Sequence, residues 1–258
     1  MVHLSLTLMG PFEALLDGQA ITGFQSNKVR ALLAYLAVES ARPQSRETLA
    51  GLLWPDGSDD CAHHSLNQAL CNLRKALHDR AAIPPFLAIA PQTIQFNKSS
   101  SHWLDTEEIS SLVRRGDGAG GDAGNRQNDG PAVDLYRGPF LEGLSLADCP
   151  AFEEWVVIQR ERLHRLMVEA MHYLACECAG RGEYEQALRY TWRQLEMDPW
   201  LEDAHLQAMR WLALTGRRSE ALVQYGICRR LLAQEFGLEP SAETTQVVQQ
   251  IRNGEIGE

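Results

Sequence analysis

The sequence predicts a mainly α-helical protein of two domains, with a small α+β domain at residues 1–98 and an all-α repeat domain at residues 99–258. The length of 258 residues exceeds that of a usual single domain and is short for three. Residues 1–98 mix alternating and helical apolar patterns, whereas from Ala151 onward the pattern is almost continuously helical. The second region also repeats itself at an offset of 34 residues.

The first 98 residues contain, in order, the patterns of a small sheet, three helices and a hairpin. Alternating leucines and an Asp17-Gly18 turn predict a small antiparallel sheet. Two helices are expected after the capping residues Ser26 and Ser45, and a third from Asp59 or Asp60 to about Leu77. Residues 86–96 then alternate around the sequence APQ at 90–92, as a hairpin does. This order is typical of a winged helix-turn-helix.

The third predicted helix has an apolar side and a polar side. At about 100° per residue, one side carries Ala62, Leu66, Ala69, Leu70, Leu73 and Leu77. The opposite side carries His64, Gln68, Cys71 and Lys75, flanked by Ser65, Asn67 and Asn72. Amides, hydroxyls and cations in such a row can contact base edges and phosphates. The same pattern also fits the solvated face of an ordinary amphipathic helix, so both interpretations stay open.

The C-terminal region contains a repeat of a helical hairpin. Residues 182–188 (GEYEQAL) recur as residues 216–222 (GRRSEAL), which is the tetratricopeptide period. In such a hairpin a glycine permits the tight turn, a small alanine permits close helix packing, and a proline follows the second helix. Pro199 follows Ala187 by twelve residues and Pro240 follows Ala221 by nineteen, which predicts a longer final helix in the second repeat.

Charge is distributed unevenly along the chain. Residues 1–98 hold eight Lys/Arg and eight Asp/Glu, whereas residues 101–258 hold sixteen and twenty-six. The net charge of −10 therefore belongs entirely to the C-terminal part, which should repel nucleic acid. Any DNA contact has to come from the neutral N-terminal part, with its few cations gathered on one face.

Composition and motifs argue against several other classes of protein. The longest apolar stretch, residues 31–38, is too short to cross a bilayer, and no signal peptide pattern opens the chain, so we expect a cytoplasmic protein. The six cysteines form no CxxC pair and are expected to be reduced thiols. Cys61, His63, His64 and Cys71 match no familiar zinc spacing, so no metal is expected. No nucleotide motif and no catalytic constellation is present, which predicts neither a cofactor nor an enzyme.

Residues 116–132 are rich in glycine and hold no aliphatic residue larger than alanine. Because glycine is a poor helix former, we expect a flexible surface loop here, inside the second domain.

Several motifs resemble those of the bacterial transcriptional activator domain family, which includes the Streptomyces antibiotic regulatory proteins. The most specific are residues 136–143 (YRGPFLEG), Trp155, residues 160–163 (RERL), residues 216–220 (GRRSE), Tyr225, residues 229–232 (RRLL) and residues 235–241 (EFGLEPS). Near the N-terminus, Lys28, residues 32–36 (LLAYL) and residues 52–56 (LLWPD) look like the winged helix that precedes this domain. The resemblance spans nearly the whole chain.

The resemblance implies a sequence-specific DNA-binding regulator, typically an activator. Family members bind direct repeats near promoters, often as dimers, and help to recruit RNA polymerase. The third helix would then be the recognition helix, and the hairpin tip with Gln92 and Thr93 would be the wing. Asn67, Gln68 and Asn72 would pair with adenine edges, while Arg74 and Lys75 would contact phosphates.

Two departures from the family pattern qualify this expectation. Relatives usually carry several arginines on the recognition helix, whereas here Arg74 and Lys75 are its only cations and the wing tip has none. Fewer phosphate contacts predict weaker and less salt-sensitive binding. The glycine-rich segment also lies where relatives commonly continue in helix. The alternative is therefore an interaction module of a larger signalling protein with weak or no DNA binding.

Overall fold

The computed structural model describes residues 2–116 and 135–256, which form two compact units. The first unit joins the residues up to 110 to residues 135–164, and the second contains the described residues of 111–116 and 165–256. The strand at residues 102–104, beyond the predicted boundary at residue 98, contributes to the first unit.

Most of the first unit is built from short strands and three helices. In chain order these are β1 (Leu4–Thr7), β2 (Glu13–Leu16), β3 (Gln19–Ala20), α1 (Asn27–Val38), β4 (Gln44–Ser45), α2 (Arg46–Leu53), α3 (Asp59–Ala76), β5 (Leu87–Ile89), β6 (Thr93–Phe96) and β7 (His102–Leu104). The following helices are α4 (Asp105–Gly116), α5 (Pro150–Gly180), α6 (Tyr184–Met197), α7 (Glu202–Leu214), α8 (Arg218–Phe236) and α9 (Ala242–Asn253). Helices predominate, as predicted.

The strands of the first unit form two small sheets. The first has the order β3-β2-β1-β7, with antiparallel pairs except for β1 and β7, which are parallel. The expectation of a purely antiparallel sheet is therefore wrong at this edge, because a strand almost a hundred residues later completes it. The second sheet, β4-β6-β5, contains the predicted hairpin and is antiparallel throughout.

The predicted apolar faces form the core of the first unit. The alternating leucines Leu4, Leu6 and Leu8 are fully buried, as are Leu32, Leu33 and Leu36 of α1. Ser45 caps α2 by accepting a hydrogen bond from the backbone N–H of Thr48 at 2.9 Å. Ser26 occupies the corresponding position before α1, but its side chain makes no capping hydrogen bond, so the prediction of a side-chain cap is wrong there.

A buried carboxylate joins the start of α4 to the end of the first strand. Oδ2 of Asp105 accepts from the backbone N–H groups of Leu8 and Met9, both at 2.7 Å, and Oδ1 accepts from Thr106 at 2.8 Å. Burial raises the pKa of Asp105 to about 6, although the three backbone donors act in the opposite direction.

The segment with the sequence YRGPFLEG packs against the chain that leaves β1. The backbone N–H of Gly10 donates to the carbonyl of Pro139 at 3.1 Å, and that of Leu141 donates to the carbonyl of Leu8 at 2.8 Å. Arg160 of α5 donates to the carbonyls of Phe140 and Leu141, at 2.8 and 3.2 Å. The segment is thus held by backbone pairing on one side and by an arginine on the other.

The second unit contains the repeated helical hairpins. Gly182 precedes α6 and Gly216 precedes α8, and both adopt positive φ angles of 77° and 76°, which only glycine adopts readily. Ala187 and Ala221 are fully buried, as expected for residues that allow close helix packing. Helix α8 has 19 residues against 14 for α6, so the longer final helix of the second repeat is confirmed.

Three other expectations from the sequence can be compared with the structure. The predicted glycine-rich loop at 116–132 lies outside them, apart from Gly116, at which α4 ends. All six cysteines are free thiols; Cys176 is exposed and Cys178 is buried. Within residues 2–116 and 135–256, no helix is long and apolar enough to cross a membrane, and no three potential ligands are grouped to hold a metal ion.

Candidate nucleic-acid interface

Helix α3 follows its predicted course and presents the predicted polar side. It covers Asp59–Ala76, and its apolar side is buried at Ala62, Leu66, Ala69, Leu70 and Leu73. His64, Asn67, Gln68, Cys71 and Lys75 are exposed, while Ser65 is half-buried. Acidic residues occupy the first turn and basic residues the last, which the helix dipole favours. The helix therefore offers a stripe of polar side chains on a fixed apolar base.

Asn72 does not belong to that stripe. Its side chain is buried, with Nδ2 donating to the carbonyl of Gly23 at 3.0 Å and Oδ1 accepting from the backbone N–H of Gln25 at 3.1 Å. The expectation of an exposed amide is wrong because the loop before α1 covers this edge of α3, which a helical projection does not reveal. Asn72 instead holds α3 against residues 23–25.

Two exposed polar side chains of α3 contact each other. Gln68 Nε2 lies 2.8 Å from His64 Nε2, one helical turn earlier. The amide can donate to a neutral imidazole nitrogen here, or its oxygen can accept from a protonated one if the amide is turned over. In the part of the chain that the structure describes, neither side chain has another hydrogen-bond partner, so the pair can still face a ligand.

The cations near the end of α3 differ in their surroundings. Arg74 Nε lies 3.1 Å from Asp79 Oδ2, and the other oxygen of this buried carboxylate accepts from the backbone N–H of Leu87. Arg74 thus helps to join α3 to the wing hairpin. Lys75 is exposed, and in the described part of the chain no carboxylate lies within ion-pair distance of it. Its charge is therefore uncompensated by an adjacent acid.

The wing is the turn between β5 and β6. Gln92 is exposed at its tip, whereas Thr93 is half-buried and pairs with Ser45 in the sheet. The backbone carbonyl of Gln92 accepts from the backbone N–H of Arg46 at 3.0 Å. This bond places the first residue of α2 directly beside the wing.

Arg46 is the main interface candidate that the sequence did not indicate. Its Nη1 donates to Oδ1 of Asn67 at 2.8 Å, and its Nε lies 3.5 Å from the carbonyl oxygen of Ala90 at the wing tip. One side chain thus connects α2, α3 and the wing. A signal was present in the sequence, since a cation in the first turn of a helix is disfavoured by the helix dipole and needs another reason to be there.

The cations of this region gather at one groove, which we call the basic groove. It has a volume of about 620 Å³ and lies between α2, the second half of α3, the loop after α3 and β5. Four of the eight cations of residues 1–98 line it: Arg46, Arg74, Lys75 and Arg80. None of the described residues that line it is acidic. DNA contact by residues 1–98 was expected to need their few cations on one face. Half of these cations line the groove.

A family model matches the chain over residues 104–252. Its description is "Bacterial transcriptional activator domain", and the match covers more than half of the chain. It begins at the last residue of β7, just before α4, and it includes the repeated helical hairpins.

Two curated relatives match along almost the whole chain. Regulatory protein AfsR of Streptomyces coelicolor is 24% identical over 245 residues, which are 95% of this chain and 24% of AfsR. Transcriptional regulatory protein EmbR of Mycobacterium tuberculosis is 27% identical over 246 residues, which are 92% of this chain and 60% of EmbR. The chain therefore spans about a quarter of one relative and three fifths of the other.

One solved structure has a similar fold. It is the structure of Mycobacterium tuberculosis EmbR in complex with a low-affinity phosphopeptide, with a TM-score of 0.68 and 21% sequence identity. The match covers 98% of this chain and 66% of the EmbR chain. The arrangement of a winged helix followed by a helical domain is thus shared with this protein.

Proposed function

Because the chain belongs to the bacterial transcriptional activator domain family, we propose that it regulates transcription by binding double-stranded promoter DNA. In this proposal α3 enters the major groove, and the wing and the basic groove contact the adjacent backbone. The family match and the two relatives, both regulatory proteins by name, support a role in transcription.

The observation that carries the proposal is the basic groove. Four cations converge where the recognition helix meets the wing, and no acidic side chain lies among the described lining residues. Phosphate neutralisation supplies much of the affinity of DNA-binding proteins, and it needs cations that are gathered and unpaired. Lys75 and Arg80 meet this requirement, since no ion pair involves them in the described part of the chain.

The polar side chains of α3 and the wing receive separate roles in the proposal. His64, Ser65, Asn67 and Gln68 would lie at base edges, because they precede the cations of the last turn on the recognition helix. Arg74, Lys75, Gln92 and Thr93 would lie at phosphates and sugars, together with Arg46 and Arg80. Asn72 would act by holding α3 in position, since both polar atoms of its amide are occupied.

We extend the proposal to an activator that binds direct repeats as a homodimer and recruits RNA polymerase. A protein contact in the second unit is supported by exposed apolar side chains there. Trp200 and Phe236, whose ring centroids lie 6.3 Å apart, are 46% and 54% exposed, and Leu238 is 59% exposed. Apolar side chains grouped in this way are typical of protein interaction sites.

A fluorescence-anisotropy titration tests DNA binding directly. The full chain is titrated into duplex DNA from upstream of its own gene and into a scrambled duplex, each at low and at physiological salt. We expect tighter, salt-dependent binding to the promoter duplex. Lys75→Ala should weaken binding to both duplexes and lower the slope of log K against log salt by about 1.

Lys98→Ala is the matched control, because Lys98 lies outside the basic groove and is 3.3 Å from Glu107. It removes the same charge from the same part of the chain and should leave the slope unchanged. Equal effects of the two variants would contradict DNA binding through the groove, and equally weak binding to both duplexes would contradict sequence-specific recognition of this promoter.

The second candidate function is a protein-interaction module of a larger signalling protein with weak or no DNA binding. The exposed apolar side chains around Trp200 favour it, because they do not depend on DNA. Under this alternative Phe236→Ser changes the association state in light scattering while promoter and scrambled duplexes bind alike.

A further inference from the structure

We propose that Arg46 sets the base preference of Asn67, so that this amide reads guanine rather than adenine. The inference rests on the proposed DNA-binding function and adds a specificity rule to it. It starts from one hydrogen bond, that from Arg46 Nη1 to Asn67 Oδ1 at 2.8 Å.

The orientation of the Asn67 amide follows from the chemistry of its partner. An arginine side chain carries only N–H donors, so the atom that faces it has to be the amide oxygen. Nδ2, with its two N–H donors, is then left at the exposed side of α3. The His64–Gln68 pair has no comparable constraint, because an imidazole nitrogen can either donate or accept.

Arg46 is itself held in place by the wing. Its backbone N–H donates to the carbonyl of Gln92 at 3.0 Å, and its side chain runs along the turn to reach Asn67. Arg46 is thus a positioning residue that ties the amide of the recognition helix to the wing. Among the described residues, none accepts a hydrogen bond from Nη2 of Arg46, so this nitrogen can contact a phosphate.

An amide that presents only its N–H donors to the DNA discriminates between bases in the major groove. Adenine presents the N7 acceptor and the N6 amino donor, so an asparagine pairs with it by using both its oxygen and its nitrogen. Guanine presents two adjacent acceptors, N7 and O6. Because the oxygen of Asn67 is turned toward Arg46, the amide presents its N–H₂ group to the DNA. This group can donate to both acceptors of guanine, whereas on adenine it meets one acceptor and one donor.

The test is selection of binding sites from a randomised duplex pool by the full chain, followed by titration of the selected duplex and its single-base variants. The base pair read by Asn67 is the one at which Asn67→Ala loses preference. At that pair we expect guanine to be preferred over adenine by roughly fivefold to a hundredfold.

Three variants then separate orientation from charge. Arg46→Met frees the amide oxygen, so the preference for guanine over adenine should fall close to one at that base pair. Arg46→Lys keeps a donor-only partner and should keep the guanine preference. Asn67→Asp places acceptors at the exposed side while it still pairs with Arg46, and should shift the preference to the amino groups of cytosine and adenine.

Arg42→Met serves as the charge control, because Arg42 is exposed and does not line the basic groove. It should leave the base preference unchanged, and thermal unfolding of each variant checks that it is folded. An Arg46→Met protein that binds all sequences more weakly with an unaltered guanine preference would overturn the inference and leave DNA binding intact. A wild-type chain that selects no sequence would overturn the proposed function as well.

Discussion

Ion pairs occur in both units, but the first unit also holds charged groups whose partners are uncharged. In the second unit, surface arginines lie beside carboxylates: Arg193 contacts Glu196 at 2.6 Å, and Arg210 contacts Glu243 at 3.0 Å. In the first unit, Arg46 contacts a neutral amide, and the buried carboxylate of Asp105 is held by backbone N–H groups.

This difference teaches that the pairing of charges, and not their number, indicates where a ligand can bind. The second unit has the larger share of arginines, yet many of them are neutralised locally. The first unit, by contrast, brings four cations to one groove. If this comparison is right, changes to Asp105 or to the cations of the basic groove should have large effects on folding or binding, and changes to the paired charges of the second unit should have small ones.

The largest effect is expected at Asp105. Asp105→Asn places an amide N–H₂ against backbone N–H donors in a buried site, so the free energy of unfolding at pH 7 should fall by about 3 kcal/mol. Urea denaturation followed by circular dichroism measures the change. Asp203→Asn, an exposed acidic residue in the first turn of α7, is the matched control and should cost less than about 1 kcal/mol. Similar losses in the two variants would remove the contrast between the units.

A double charge reversal in the basic groove should have the next largest effect. Lys75→Glu with Arg80→Glu should lower promoter affinity by roughly a hundredfold at physiological salt, because two phosphate contacts become repulsive. Arg229→Glu with Arg230→Glu makes the same charge change on the exposed surface of α8 and should change affinity by less than about threefold. Equal losses in anisotropy titrations would mean that DNA responds to net charge alone.

The pH dependence of stability sharpens the comparison further. The pKa of Asp105 is raised to about 6 from an ordinary value of 3.8, so the folded state binds more protons than the unfolded state between these values. The contribution of this group to stability is therefore largest at low pH and is lost as the pH rises through 6. The stability difference between wild type and Asp105→Asn should grow by up to about 2 kcal/mol from pH 7 to pH 4.5. A difference that shrinks on acidification would contradict the raised pKa.

The smallest effect is expected for an exposed ion pair in the second unit. Arg210 and Glu243 have side chains that are 43% and 64% exposed. Arg210→Ala should therefore lower the free energy of unfolding by less than about 1 kcal/mol and leave DNA affinity unchanged. Differential scanning calorimetry checks the first expectation, and a loss above that bound would show that surface pairing matters more here than exposure predicts.

The sequence predicted the periodic parts of the fold well. Helix α3 begins at Asp59 and ends within a residue of its predicted end, and the positions of Gly182 and Gly216 at the two hairpin turns are confirmed. Apolar periodicity determines which side of each element is buried, and this information is local in sequence. The contacts of β7 with β1 are not local, and nothing within residues 102–104 indicates its partner.

The candidate site was only partly predictable for the same reason. The polar stripe of α3 follows from its own periodicity, but the burial of Asn72 depends on a loop almost fifty residues earlier. The role of Arg46 depends on both α3 and the wing. Asp105 had one indication, an acidic residue at a helix start followed by Glu107 and Glu108, but its bonds to the two residues after β1 require the tertiary structure.

Gly10 shows how a modest sequence feature can restrict variation far along the chain. Its φ angle is +106°, and a Cβ atom placed there would lie 3.1 Å from Cβ of Arg137 and 3.3 Å from its carbonyl carbon. Any side chain at this position would therefore be both strained and crowded by backbone. In a saturation mutagenesis library, Gly10 should tolerate fewer substitutions than Gly18, whose φ is also positive but whose surroundings are open. The substitutions that Gly10 tolerates would thus be restricted by a segment that begins more than 120 residues later in the chain.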